Sequence, residues 1–174
     1  MDNIVLKSLE ERRSVRKYLP KQVEEDALAA ILRAGTYAPT GMNRQSPMMI
    51  VVQNPEDREI LRKMNAAVMG REDGDPFYGA PTIIIVLADP SVRTAVEDGS
   101  LVMGNLMNAA HAVGVDSCWI HRAREEFASE EGKALLKKWG VEGEWIGVGH
   151  CILGYRDCDY PEKRDRKDGW IVRV

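Results

Sequence analysis

The residues best suited to bind a charged ligand are basic side chains near the two ends of the chain. The first of these two groups also contains a serine. These residues are Arg12, Arg13, Ser14 and Arg16 in the N-terminal group, and Arg164 and Arg166 in the C-terminal group. Guanidinium groups and a hydroxyl donate hydrogen bonds to oxyanions, and several such bonds can hold a phosphate. Each group alone is typical of a solvated surface, but groups from opposite chain ends could converge on one phosphate.

A polar loop between a predicted helix and a predicted strand offers a second set of candidate ligands. Pro39 and Gly41 give this loop an unusual backbone path, and Thr40 adds a hydroxyl. The amides of Asn43 and Gln45 supply donors and acceptors, which suit the polar edge of a heteroaromatic ring. On its own, the segment is equally well interpreted as a plain connecting loop.

The sequence lacks the simplest signatures of several enzyme classes. There is no GxGxxG after a predicted strand, no GxxxxGK[ST], no HExxH and no GxSxG. Gly147, Gly149 and Gly154 resemble a phosphate loop only faintly, because they lie along an apolar strand that no helix follows. We interpret these glycines as positions at which other groups pack closely on a buried strand.

The cysteines and histidines do not have the spacing of a metal site. Cys118 and His121 form a CxxH pair, and His150 is followed directly by Cys151. Adjacent residues of a strand point to opposite faces, so His150 and Cys151 could hardly bind one ion. With Cys158 the cysteines number three, without the paired spacing of a disulfide framework. We expect reduced thiols, Cys118 and Cys151 in the core, and no bound metal.

Composition places the chain among ordinary globular domains. Its 174 residues are 44% hydrophobic and 29% charged, without internal repeats, which predicts a single domain over residues 1–174. A net charge of −3 argues against nucleic acid as a partner. Residues 1–9 lack the apolar region of a secretory signal, and no segment has the roughly 20 apolar residues that a membrane span needs. We expect a cytoplasmic protein without membrane association.

The segments that must position the candidate residues alternate between helices and strands. Helices are predicted from Asp2 to about residue 9 and over residues 23–37, 55–68, 92–113 and 125–139, and strands over residues 47–53, 82–88, 116–121 and 145–153. This order predicts a fold with three layers, of the α/β or the α+β class, in which helices cover both faces of a sheet. The β-branched run at residues 82–88 does not alternate with polar residues, so we expect it at the centre of the sheet.

The helix predicted over residues 92–113 is apolar on more than one side, with Val96, Leu101, Leu106 and Ala110 among its residues. A helix that is apolar nearly all round is buried in a core or against a second subunit. Because one small domain offers limited cover, the pattern favours a dimer.

Four motifs, taken in order, resemble the nitroreductase family. RRSVRKY, followed about twenty residues later by APTGMNRQ, is similar to the FMN-binding signature of that family. FYGAPTIIIV resembles its first central strand, and GVDSCWIHR followed by LGYRD and a basic tail resembles its C-terminal half. The similarity extends over nearly the whole chain, and the ordered set is far more specific than any single motif.

The resemblance implies a nitroreductase-like fold of the α+β class, with a central, mostly antiparallel sheet flanked by helices. It also implies a homodimer that exchanges its C-terminal tails and holds FMN between the subunits. NAD(P)H would pass a hydride to N5 of the flavin and leave, and an electron-poor small molecule such as a nitroaromatic or quinone would then take its place in a ping-pong reaction. No single catalytic side chain is implied, since the cofactor performs the redox chemistry.

The resemblance further implies roles for individual residues. The phosphate and ribityl chain would be held by Arg12, Arg13, Ser14 and Arg16, completed by Arg164 and Arg166. The ring would be lined from the other subunit by Pro39, Thr40, Asn43 and Gln45, and its reactive edge would lie beside Trp119, Ile120, His121 and Arg122.

One segment departs from the pattern of the family. Many relatives have Glu-Gly or small residues where this chain has His121 and Arg122, and the larger pair could narrow the pocket or favour anionic substrates. Asn65 lies on a helix that aligns poorly with the family pattern, so we interpret it as a surface asparagine rather than a flavin ligand.

Two alternatives to this activity stay open. The same flavin fold could carry out flavin fragmentation, reductive dehalogenation or the oxidation of a bound intermediate. The protein could instead be a non-catalytic flavin-binding redox module. Residues 70–79 form only a short loop, which favours simple electron transfer over a reaction that needs a substrate lid.

Overall fold

A computed structural model describes residues 2–174 and contains a four-stranded sheet with helices on both faces. The helices of this part of the chain are α1 (Ile4–Glu11), α2 (Glu25–Thr36), α3 (Pro55–Met69), α4 (Ala95–Ala112), α5 (Ala123–Ala128) and α6 (Glu130–Lys138). The strands are β1 (Met48–Val52), β2 (Thr82–Ala88), β3 (Asp116–Ile120) and β4 (Ile146–Gly154). A short 3₁₀ helix, Gly41–Asn43, lies between α2 and β1.

The strand order in the sheet is β1-β2-β4-β3, and each neighbouring pair is antiparallel. β2 lies inside the sheet and all of its residues are buried, as its unbroken β-branched run predicts. The three-layer α+β fold with an antiparallel sheet is therefore confirmed.

The alternation of side chains along the strands divides the core into two layers. Ile84 and Val86 of β2 point to one face, where they pack with apolar residues of α2 and α4. Ile83 and Ile85 point to the other face, where they pack with α3, α5 and α6. Each layer buries the apolar face of its helices, which supplies the main driving force for the fold.

Two glycines of β4 permit close packing against the end of β3 and the start of α5. A Cβ atom at Gly147 would lie 2.0 Å from the carbonyl oxygen of Ala123, and one at Gly149 would lie 2.5 Å from Nε1 of Trp119. Any side chain at either position would push these elements apart. The interpretation of these glycines as packing positions is confirmed, and the packing brings residues 119–123 directly against β4.

The N-terminal segment after α1 is bound to the sheet on one side and to the chain after β4 on the other. The amide of Val15 donates to the carbonyl of Ser117 in β3, at 3.1 Å. The amide of Leu19 donates to Tyr155 at 2.8 Å, and that of Asp157 donates to Lys17 at 3.0 Å. These backbone bonds fix the basic N-terminal segment beside the start of the C-terminal tail.

Two predicted helix boundaries were wrong. The helix predicted over residues 125–139 is divided at Ser129, whose backbone is extended and whose hydroxyl accepts the amide of Gly132 at 3.0 Å. A serine hydroxyl that caps a new helix competes with continuation of the preceding one. At the N-terminus, the cap of α1 is Asn3 rather than Asp2, since Oδ1 of Asn3 accepts the amide of Val5 at 2.9 Å.

The cysteines lie largely as the sequence predicts. Cys118 and Cys151 are buried, and burial raises the pKa of both thiols, so these thiols are protonated and poorly nucleophilic at neutral pH. Cys158 is exposed. His150 lies in the layer with α3 and α5 whereas Cys151 faces α2 and α4, which confirms that they point to opposite faces.

Among residues 2–174, no helix has the length and apolar character needed to cross a bilayer.

Candidate functional site

An open cavity of about 660 Å³ lies where the two ends of the chain meet. Its polar and basic lining residues are Glu10, Arg12, Arg13, Ser14, Lys163 and Arg166. The predicted convergence of the two basic groups therefore occurs within a single chain, for four of the six residues named. An anion in this cavity would meet several cationic donors at once.

Tyr160 holds the N-terminal arginines beside the tail. Its hydroxyl accepts the amide N–H of Arg13 at 2.8 Å and donates to the carbonyl oxygen of Glu11 at 3.1 Å. The guanidinium of Arg156 lies 5.0 Å from the centre of the same ring. The ion pair between Lys163 and Glu10, at 3.5 Å, is exposed on both sides and adds little stability. The tyrosine is thus the main link between tail and N-terminal segment at this cavity.

Two guanidinium nitrogens at this cavity are buried without a hydrogen-bond acceptor in the described part of the chain. They are Nη1 of Arg12 and Nε of Arg13. Nη1 of Arg13, in contrast, donates to the carbonyl oxygens of Glu10 at 2.7 Å and Arg12 at 2.8 Å. Buried cationic donors without acceptors are costly, so the site is suited to an anion that supplies the missing oxygens. A phosphate monoester has this chemistry.

Two of the predicted basic residues do not line the cavity. Arg16 is exposed, with Nη1 3.4 Å from the carbonyl oxygen of Ser14. Arg164 is also exposed, and its carbonyl oxygen accepts Nη2 of Arg166 at 2.8 Å. Both side chains would have to turn inward to reach a bound anion.

The predicted polar loop has an unusual backbone. Met42, Asn43 and Gln45 have φ angles of 52°, 54° and 51°, in the left-handed region that non-glycine residues seldom adopt. The amide of Gln45 donates to Oγ1 of Thr40 at 3.0 Å, and its side-chain amide donates to Oδ1 of Asn43 at 3.1 Å. Strain of this kind persists only where surrounding contacts maintain it, and it is frequent at ligand sites.

A buried carboxylate that the sequence pattern did not predict as part of the site anchors this loop to α4. Asp98 is 3% exposed, and its two oxygens accept the amide of Gly41 at 2.9 Å and the hydroxyl of Thr94 at 3.1 Å. The signal in the sequence was an acidic residue on the apolar side of a helix. Asp98 therefore positions the loop relative to α4.

The loop residues and the basic cavity lie apart within one chain. Thr40 and Gln45 line a separate cavity of about 150 Å³ together with residues of α2, β1 and α4, and no basic residue of the first cavity borders it. Pro39 and Asn43 are exposed. A single chain does not bring these two predicted groups around one ligand.

The third predicted group lies where β3 ends. Ile120 is buried, while Trp119 is half-buried with its ring centre 5.7 Å from that of the exposed His121. Nε1 of Trp119 is buried and has no acceptor among residues 2–174. Arg122 has a φ of 81°, so the chain turns sharply here before α5 begins.

The interpretation of Asn65 as a surface residue was wrong. Asn65 is fully buried beneath this turn, and Nδ2 donates to the carbonyl oxygen of His121 at 2.8 Å. Nδ2 also donates to the carboxylate of Glu126, and Oδ1 accepts Nε of Arg122 at 2.8 Å. The helix periodicity alone could not reveal this position, because α5 and the turn cover Asn65 only in the folded chain.

Glu126 and His150 complete this buried polar group. Oε2 of Glu126 lies 3.0 Å from Nε2 of His150, with both side chains inaccessible to water, and neither atom makes a hydrogen bond within residues 2–174. The ring of His150 packs edge-on against Phe77, 5.2 Å between centres. Neither residue was predicted as part of the site. In residues 2–174, no three histidine, cysteine or acidic side chains are grouped so that they could hold a metal ion.

Comparison with known proteins identifies the family. Residues 9–155 match the sequence model of the nitroreductase family. The chain belongs to the nitroreductase family. It is 32% identical over 168 residues to a protein of Archaeoglobus fulgidus named "Putative NADH dehydrogenase/NAD(P)H nitroreductase", with 92% of this chain and 91% of the relative covered.

Solved nitroreductase structures share the whole fold of this family member. A nitroreductase from Bacteroides fragilis, solved with bound FMN, superposes with a TM-score of 0.91 at 32% identity, covering 99% of this chain and 100% of the other. A second nitroreductase with bound FMN, from Desulfitobacterium hafniense, superposes with a TM-score of 0.89 at 28% identity over the full length of both chains. The nitroreductase-like fold expected from the sequence motifs is confirmed.

Replacing Asp98 by alanine is expected to release the loop of this nitroreductase-family protein from α4. The amide of Gly41 and the hydroxyl of Thr94 would lose their acceptor, which should lower the free energy of unfolding by about 1–3 kcal/mol. Urea unfolding measures this change, and trypsin should cleave after the exposed Arg44 faster than in the unmodified protein. The exposed neighbour Glu97, replaced by alanine, serves as the control. Equal cleavage and stability in both variants would contradict the anchoring role of Asp98.

Proposed function

We propose that this chain is an FMN-dependent oxidoreductase that takes electrons from NAD(P)H and passes them to electron-poor small molecules such as nitroaromatics or quinones. Family membership supports the assignment as an oxidoreductase. The FMN bound in the Bacteroides fragilis structure supports FMN as the cofactor. The observation that carries the proposal is the cavity at which buried, unpaired guanidinium donors from the N-terminal segment meet the basic tail.

The basic cavity is the proposed site of the FMN phosphate. Arg12, Arg13 and Arg166 supply cationic donors and Ser14 supplies a hydroxyl, which together suit a doubly charged phosphate monoester. We retain Arg16 and Arg164 as further members of this site, which their side chains reach by reorientation.

The rest of the flavin site is proposed to form only in a homodimer. The predicted ring ligands Pro39, Thr40, Asn43 and Gln45 lie apart from the basic cavity, so a second copy would supply them. α1 buries none of its own residues, and Ile4 and Val5 are 84% and 61% exposed. Together with α4 they border an apolar groove of about 420 Å³, which a second subunit would cover.

The apolar end of the tail also fits an exchange between subunits. Trp170 and Ile171 are exposed in the single chain, whereas Arg166 lines the same cavity as the N-terminal arginines of its own chain. The proposed exchange therefore concerns the residues beyond Arg166. The single domain over residues 1–174 and the cytoplasmic location stay predictions.

The protein contributes position and electrostatics to the proposed reaction. Bound FMN would supply the redox chemistry, which is hydride uptake from NAD(P)H and electron transfer to the acceptor. Trp119 and Ile120 are proposed to lie along the ring, and the turn at His121 and Arg122 to lie at its reactive edge. The charge of Arg122 and the backbone N–H groups of this turn would stabilise negative charge that develops there.

Steady oxidation of NADH or NADPH by the FMN-loaded protein is the main test. With a quinone such as menadione and with a nitroaromatic, we expect continuous consumption that depends on both the acceptor and bound FMN, because the flavin is regenerated in each cycle. Absorbance at the nicotinamide band measures it, and protein stripped of FMN is the control. Bound FMN without turnover of any acceptor would favour the non-catalytic flavin-binding module. Reduction of the flavin by NAD(P)H without transfer to these acceptors would favour a different reaction on the same fold.

Replacing Arg12 and Ser14 together by alanine should weaken FMN binding by about 2–4 kcal/mol, because charge-assisted hydrogen bonds to the phosphate are lost. Quenching of flavin fluorescence measures the affinity. Riboflavin, which lacks the phosphate, should lose much less affinity. The control is Lys167→Ala, an exposed basic residue outside the cavity. Equal losses for FMN and riboflavin would place the phosphate elsewhere.

The unmodified protein is expected to sediment as a dimer of the 19.5 kDa chain. Val5→Asp introduces a charge into the apolar groove beside α4 and should shift the equilibrium toward the monomer, with loss of FMN affinity. Val68→Asp, on a similarly half-exposed valine of α3, is the matched control. A monomeric unmodified protein that still binds FMN would disprove the shared site.

A further inference from the structure

A buried polar chain fixes the position of the Arg122 guanidinium. Nε of Arg122 donates to Oδ1 of Asn65 at 2.8 Å, while Nδ2 of Asn65 donates to the carbonyl oxygen of His121 and to the carboxylate of Glu126. A carbonyl oxygen only accepts hydrogen bonds and the guanidinium of Arg122 only donates them, so the amide of Asn65 has one possible orientation. Its oxygen must face Arg122, which orients the guanidinium from below.

The backbone at Arg122 adds a second constraint. Its φ of 81° lies in the left-handed region, and the residue begins the turn directly before α5. This conformation is unfavourable for a side chain with a Cβ atom, so the hydrogen bonds beneath the turn must maintain it. These hydrogen bonds therefore also fix the direction in which the Arg122 side chain leaves the backbone.

Nη1 and Nη2 of this guanidinium have no hydrogen-bond partner within residues 2–174. Nε makes the single side-chain hydrogen bond of Arg122 within residues 2–174, and no carboxylate of that part of the chain lies within ion-pair distance. Arg62 and Arg156 differ, since they pair with Glu59 at 2.7 Å and Asp116 at 3.3 Å. Arg122 thus presents a half-buried, oriented cation with free donors, which suits a planar oxyanion.

We propose that Arg122 binds a carboxylate or another oxyanion on the electron acceptor, so that the protein prefers anionic aromatic acceptors to neutral ones. The inference rests on the proposed function, in which the turn at Arg122 lies at the reactive edge of the flavin. An acceptor that stacks on the ring would bring its anionic substituent to Nη1 and Nη2, while Nε stays on Asn65. The 2′-phosphate of NADPH offers the same chemistry, and the experiment separates the two sources.

The test compares 4-nitrobenzoate with 4-nitrobenzamide, which have similar shapes and differ in charge. We expect Arg122→Gln to lower the ratio of kcat/KM for the anion to kcat/KM for the amide by about tenfold, the loss expected for a charge-assisted contact. Arg122→Lys should retain part of the preference, because it keeps the charge without the planar fork. Arg124→Gln makes the same change in net charge at an exposed position of α5 and should leave the ratio unchanged.

A binding measurement supplies a readout independent of turnover. Isothermal titration of the FMN-loaded protein with benzoate should give a dissociation constant about tenfold weaker in Arg122→Gln than in Arg124→Gln, whereas benzamide should show no comparable difference. The result would support recognition of the carboxylate by Arg122.

The failures of the two proposals are distinguishable. If both nitro compounds are reduced but Arg122→Gln leaves the ratio and benzoate affinity unchanged, the inference about Arg122 is wrong and the proposed function stands. If that variant instead loses only its preference for NADPH over NADH, the oxyanion belongs to the electron donor and the acceptor proposal is overturned. If no acceptor is reduced by the FMN-loaded protein, the proposed function fails, and the inference fails with it.

Discussion

The candidate site depends on the backbone hydrogen bonds that hold the N-terminal segment against the sheet. Val15 binds to Ser117 of β3, and the following residues bind to the chain that emerges from β4. These bonds bring residues from opposite ends of the sequence to one cavity. Without them, the arginines after α1 and the basic tail would be separate, solvated clusters. Because both clusters are positively charged, bringing them together is opposed by electrostatic repulsion. The fold therefore concentrates positive charge, and the proposed phosphate offsets that repulsion.

A single chain leaves several requirements of the fold unmet. The apolar residues of α1 remain exposed, and the strained polar loop anchored by Asp98 lies away from the basic cavity. Exposed apolar surface and unpaired buried cations are both unfavourable, and each could be relieved by binding. A second subunit and a phosphate-bearing cofactor would relieve them together. The proposals of a dimer and of a shared FMN site thus have a common physical origin.

The turn after β3 is rigid and carries Arg122, a cation without an ion-pair partner in residues 2–174. Gly147 and Gly149 let the start of α5 and Trp119 pack directly on β4, and the amide of Asn65 binds the turn from beneath. The buried pair of Glu126 and His150 continues this polar group behind that amide, since Glu126 accepts Nδ2 of Asn65 and lies 3.0 Å from His150. A rigid turn of this kind can hold Arg122 in place, which is what selection among acceptors of different charge would require.

The layers, the central strand β2, the close-packing glycines and the family could be predicted from the sequence, because they depend on local periodicity and on ordered motifs. The sequence did not predict the break at Ser129, where a hydroxyl competes with the helix, or the buried positions of Asn65, Asp98 and Glu126. A polar residue within a helical pattern is equally compatible with solvent and with a buried partner. The folded chain distinguishes the two, because hydrogen-bond partners such as the carbonyl of His121 and the amide of Gly41 come from distant segments that meet when the chain folds.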